Sequence, residues 1–146
     1  MNTSAIFSSL KTYLDACREA NRRLVICYVD RHGHTIMIWR ETDAWLGSIE
    51  IAQSKAWTAI AFSGPTEAEA LTADRIATLT KPGQPLHGVQ HHPYHGRMVI
   101  FGGGTPIYVD GKLKGAIGVS GGTVDEDERF ASIAVAAYLK AVKETA

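Results

Sequence analysis

Phe101-Gly102-Gly103-Gly104-Thr105-Pro106-Ile107-Tyr108-Val109-Asp110-Gly111-Lys112-Leu113-Lys114-Gly115-Ala116-Ile117-Gly118-Val119-Ser120-Gly121-Gly122-Thr123-Val124-Asp125-Glu126 organises the chain. Thr105 to Val109 and Lys114 to Ser120 read as strands. Asp110-Gly111 between them is a strong hairpin signal, because the favoured two-residue turn needs positive φ at both positions. Gly121-Gly122 breaks the second strand. Thr123 with Glu126 three residues on forms a capping box and starts a last helix. Ala131, Ala134, Val135, Tyr138 and Leu139 recur along it as one apolar face. Upstream, Arg97 to Phe101 reads as another strand, entering the hairpin through Gly102-Gly103-Gly104.

Working outward, His87 to Gly96 shows no period and reads as a surface loop. Lys81-Pro82-Gly83-Gln84-Pro85 ends a helix read over Thr66 to Thr78, with Thr66 as its cap and Glu67 and Glu69 in its first turn. Ser63-Gly64-Pro65 stops a longer helix over Trp45 to Phe62, whose alanines favour it. Trp45, Ile49, Ala52, Ala56 and Ile60 form its apolar side. Leu24 to Val29 and His34 to Trp39 read as a hairpin around Asp30-Arg31-His32-Gly33. Ser4 or Thr3 caps a first helix in which Ile6, Phe7, Leu10, Tyr13, Leu14 and Cys17 are apolar. This order lacks βαβαβ alternation, so a parallel doubly wound sheet is not expected. An α+β domain of about five strands, mostly antiparallel, is.

The chain has 146 residues, 45% hydrophobic and 21% charged, which fits one domain. A chain of this size buries roughly 68–70% of its unfolded surface and needs no staple. Lys plus Arg equals Asp plus Glu, fifteen of each. That balance lacks the electrostatic footprint of a nucleic-acid or acidic-membrane partner. Cys17 and Cys27 form no CxxC pair, and buried cysteines of this kind are inert hydrophobes. Met1 to Lys11 lacks the basic start and apolar run of a signal peptide, so the expected location is the cytoplasm.

Four constellations could carry chemistry. Gly102-Gly103-Gly104-Thr105 either lets a ligand approach the backbone or only bends the chain. Ser120-Gly121-Gly122-Thr123 precedes a helix whose free N–H groups suit an anion, although Asp125 and Glu126 use the same dipole. His87, His91, His92 and His95 offer nitrogens to a metal or haem iron, or form an exposed histidine loop that matches no standard zinc spacing. Lys55, beside Trp57 on a helix read as core, reaches a ligand carboxylate or lays its stem over apolar surface. His32 and His34 read as solvent-facing. No HExxH or P-loop is present.

At these residues the chain resembles the haem-binding GlcG/HbpS family, which includes the C-terminal domain of PduO-type cobalamin adenosyltransferases. Ala44 to Ala59 is similar to its central helix motif. Phe101 to Pro106 and Gly115 to Asp127 are similar to its two C-terminal signatures, and Val29 to Gly33 to its first hairpin turn. The resemblance implies a profilin-like fold, with a five-stranded antiparallel sheet between helices on both faces. It also implies a homo-oligomer and, in some members, a haem or related tetrapyrrole ligand, with a corrinoid as the kindred cofactor. On that reading Lys55, Gly102, Gly103, Gly104, Thr105, Gly121 and Gly122 line a ligand and a loop histidine holds the metal. The alternatives are an accessory protein or enzyme of a diol, glycolate or aromatic pathway, and an assembly protein whose glycine turns only permit subunit packing.

Overall fold

The structure, a computed structural model, describes residues 1–93 and 97–145. Its longer elements are α1 (Thr3–Glu19), β1 (Val25–Asp30), β2 (Thr35–Arg40), α2 (Ser48–Ala61), α3 (Ala73–Leu79), β3 (Gly104–Val109), β4 (Lys112–Ser120) and α4 (Val124–Glu144). Four strands form an antiparallel sheet in the order β2-β1-β4-β3.

The faces of β1 alternate, as a period of two requires. Ile26 and Tyr28 join Ile117, Val119 and Ile107 under α1 and α4. Val25, Cys27 and Val29 join Ala116 under α2. Helices therefore cover both faces. α2 lies close to the sheet because small residues meet there. A Cβ on Gly118 would collide with the Ala52 carbonyl, and one on Gly104 with the Lys55 carbonyl. The alanines of α2 thus set a packing distance as well as favouring helix.

Several expectations are corrected. The fifth strand is absent among the described residues. Arg97 to Ile100 has no regular secondary structure and joins no ladder. Its backbone is satisfied by a side chain instead: Val99 N–H donates to Thr58 Oγ1 at 3.1 Å. The helix read over Thr66 to Thr78 is split. Thr66 and Glu69 close a capping box on a single 3-10 turn, and α3 starts afresh with Thr72 as its cap. Asn2, rather than Ser4 or Thr3, caps α1. Trp45 precedes α2 and is exposed, as is Phe7. The segment read as a loop from His87 includes a 3-10 turn, Val89–His91. Gly96 and His95 at its end lie outside the described residues.

The two hairpin turns follow sequence expectation. Asp110 and Gly111 have φ of 52° and 72°. Asp30 Oδ1 accepts from the N–H groups of His32 and His34 at 2.8 and 3.0 Å, closing the first turn. No helix among the described residues is long and apolar enough to cross a membrane.

Candidate functional site

Two glycine turns, α2 and the start of α4 meet at one point, the Lys55 ammonium. Lys55 is 1% exposed. Its Nζ donates to Asp127 Oδ2 at 2.7 Å and to the Val119 carbonyl at 2.9 Å. Asp127 Oδ1 accepts from the Gly122 N–H at 2.9 Å, and Val119 N–H donates to the Gly103 carbonyl at 2.8 Å. One buried ion pair thus ties both glycine-rich turns to two helices and a strand. Gly103 has φ of 116°, and a Cβ there would lie 2.8 Å from Lys55 Nζ and 2.7 Å from the Val119 carbonyl oxygen. A side chain at 103 would occupy the space the ammonium needs, which is why glycine stands there.

Burial works against both charges of the pair, while their contact favours both. Burial pushes the Lys55 ammonium below its ordinary range, against the pull of Asp127. It pushes the Asp127 carboxyl above its ordinary range, against the pull of Lys55. Glu128 is the next group outward. Its Oε1 is buried with no hydrogen-bond donor among the described residues, and it lies against Gly102. Burial, then the neighbouring Asp74 and Asp125 carboxylates, hold the Glu128 carboxyl above its ordinary range. Phe101 roofs the site: its ring centroid is 5.2 Å from Lys55 Nζ, and the residue is 37% exposed.

Sequence reasoning grouped Lys55 with Gly102, Gly103 and Gly104, and the fold brings these together. Thr105 follows in β3, and Gly121 and Gly122 adjoin through Asp127. Of the histidines, the described His87, His91 and His92 do not join them in a metal-binding cluster; His95 lies outside the described residues. Among the described residues no group of three or more His, Cys, Asp or Glu could hold a metal ion. His87 Nδ1 lies 3.2 Å from the Thr80 carbonyl, and His91 and His92 are exposed.

Asp127 and Glu128 are not among the residues that sequence reasoning singles out. A signal for Asp127 existed. It shares the apolar face of Phe130, Ala131 and Ala134, so its carboxylate required a buried cation,. Lys55 stands among Ala52, Ala56 and Ala59 on the apolar face of α2 and has the converse need.

A second region is open. A cleft of about 600 Å³ is lined by Arg31, His32, Pro65, Thr66, Gly111, Lys112 and Leu113. It joins the two hairpin turns, drawn together where Thr66 bridges Lys112. His32 Nε2 accepts from Arg31 Nε at 3.1 Å, and both residues are exposed. The reading of His32 as solvent-facing is right, but that exposure opens onto a concave, cationic surface.

Comparison with known proteins places these features. Residues 1–136 match the family described as haem degrading protein HbpS-like. The chain is 40% identical over 114 residues to corrinoid adenosyltransferase PduO of Salmonella typhimurium, covering 78% of this chain and 32% of that protein. It thus spans about a third of that curated relative's length. The crystal structure of Klebsiella pneumoniae ORFY superposes with a TM-score of 0.84 at 32% identity, covering 94% of this chain and 90% of that one. A PduOC:haem complex gives 0.84 and 32%, covering 94% of each chain. The match runs through both glycine turns, the central helix and the sheet, and the chain belongs to the HbpS-like family.

Proposed function

We propose that this chain binds haem or a related tetrapyrrole in the cleft between its two hairpin turns. One observation carries the reading: an imidazole, two cations and apolar Pro65 and Leu113 converge on a cleft of about 600 Å³. That volume suits a small-molecule site. The donor set fits haem. His32 would supply a nitrogen of the kind that holds haem iron. Arg31 and Lys112 supply partners for two carboxylates. Pro65 and Leu113 offer apolar surface to a macrocycle. The redox and diatomic-ligand chemistry would be the cofactor's own. Were His32 Nε2 to hold the iron, its contact with Arg31 would be given up and that guanidinium would be left for a carboxylate. The PduOC:haem relative supports haem, and the corrinoid adenosyltransferase relative keeps a corrinoid as the kindred ligand.

The histidines of the His87–His95 segment are the competing source of an iron ligand. The Lys55 region, with Gly102–Thr105 and Gly121–Gly122, is the competing ligand wall, and it requires the buried ion pair to open. Self-association belongs to the proposal too, because Ile36, Trp39, Trp45 and Leu46 are exposed apolar residues on β2 and the segment after it.

Titration with haemin, and separately with hydroxocobalamin, tests the ligand. A saturable Soret shift with haemin is expected. Lys112→Ala should weaken binding by about tenfold, the loss of one charge-assisted contact. No shift in the unmodified protein, or equal affinity in a variant with both Arg31 and Lys112 replaced by Ala, counts against the reading.

A further inference from the structure

We propose that a small cleft between the first hairpin turn and α2 binds an aromatic carboxylate, with Trp57 meeting the ring and Arg97 the carboxylate. This goes beyond the tetrapyrrole reading and uses none of the residues that line the larger cleft.

The small cleft has a volume of about 250 Å³, and its walls include Gly33, His34, Gln53, Ser54, Trp57 and Arg97. Gly33 shapes it. Its φ is 82°, and a Cβ there would lie 2.9 Å from Trp57 Cδ1. Only glycine lets the turn backbone rest against the indole edge, which fixes Trp57 as one wall. Gln53 Nε2 donates to Thr35 Oγ1 at 3.3 Å and ties α2 to the start of β2 beside that wall.

The charges in the cleft favour an anion. No Asp or Glu lines it among the described residues. Arg97 is exposed and forms no ion pair among the described residues. Its guanidinium carbon lies 6.0 Å from the Trp57 ring centroid, at the outer reach of a cation–π contact,. The ring therefore holds the guanidinium loosely, and it can turn to a carboxylate at little cost. Ser54 and the second Gln53 amide N–H add neutral donors. His34 Nδ1 lies 3.7 Å from Asp30 Oδ2, so Nε2 is the ring nitrogen left for a ligand. Asp30 itself is engaged by two N–H groups of its own turn.

The same features set the ligand class. Arg97 is the one Lys or Arg of the lining among the described residues, and its planar fork matches a carboxylate,. A doubly charged phosphate finds no second cation there. The indole offers its face to an aromatic ring. The volume falls just below the roughly 300–1,000 Å³ of drug-sized sites, which suits a single ring and excludes a macrocycle.

Two-dimensional NMR of the full chain, titrated with sodium benzoate at constant ionic strength, tests the proposal. Saturable shifts are expected at the Trp57 indole N–H and the Gly33 amide. Arg97→Ala should weaken binding by about tenfold, and Arg97→Lys should recover part of that loss by keeping the charge without the fork. Acetate, which lacks the ring, and benzyl alcohol, which lacks the charge, should each bind at least about tenfold more weakly than benzoate. Benzoate affinity unchanged in Arg97→Ala would overturn the proposal. So would acetate or benzyl alcohol binding as well as benzoate, or shifts that fall at Arg31, His32 and Lys112 instead.

Discussion

The Lys55 hub and the Arg31–His32–Lys112 cleft are built from similar residue types and put them to opposite use. In the hub a cation and a carboxylate lie at 2.7 Å, and side-chain exposures of 1% and 4% remove both from water. There the partners are fixed, and a change at one residue leaves another uncompensated. In the cleft Arg31, His32 and Lys112 are exposed, so their donors and acceptors exchange freely with water or a ligand. Polar side chains that satisfy one another in the interior specify a fold. The same side chains on a concave surface are available for recognition.

The contrast is sharpest in stability. Asp127→Ala strands a buried ammonium and should cost about 3–5 kcal/mol in denaturant titration. The double replacement Lys55→Met, Asp127→Leu should recover most of that loss. Gly103→Ala comes next, at about 1–3 kcal/mol, because its φ of 116° and the Val119 carbonyl both resist a Cβ,. Equal losses at Gly103 and Gly111, whose surroundings are open, would break the distinction between a packed turn and a merely left-handed one.

Thr123→Ala should cost about 1 kcal/mol by removing the cap of α4, whose side chain accepts from the Glu126 N–H,. The same turn has an acid dependence. A hydrogen bond from Arg22, then the Thr123 N–H, hold the Glu126 carboxyl below its ordinary range. Its contribution is present above the ordinary carboxylate range and is lost as pH falls through the lowered value. Thermal melts should therefore show an acid limb that Glu126→Gln flattens. The smallest stability effect belongs to the cleft: His32→Ala should change unfolding free energy by no more than about 0.5 kcal/mol.

Much of this architecture is legible in the residues. The Asp110-Gly111 turn, the Thr123 capping box and the alternation of β1 are local signals, and local chemistry determines them. The strand expected at Arg97 to Phe101 failed for a non-local reason. Its β-branched and apolar residues suit a ladder, but Thr58 on α2 claims the Val99 N–H. Lys55 stands out in the sequence as a lysine beside alanines on a helix read as core. Its partner Asp127 does not, because an acid at the start of a helix is already accounted for by the helix dipole. The cleft was invisible for a similar reason: Arg31 and Lys112 are 81 positions apart in sequence and meet only where two hairpin turns converge.

The central claim is that the cleft, and not the histidine segment or the hub, holds the ligand. Parallel haemin titrations of the unmodified protein, His32→Ala, and a variant with His87, His91, His92 and His95 all replaced by Ala test it most directly. The account predicts that the Soret shift is lost in His32→Ala and retained in the fourfold variant. A shift retained in His32→Ala and lost in the fourfold variant would contradict it.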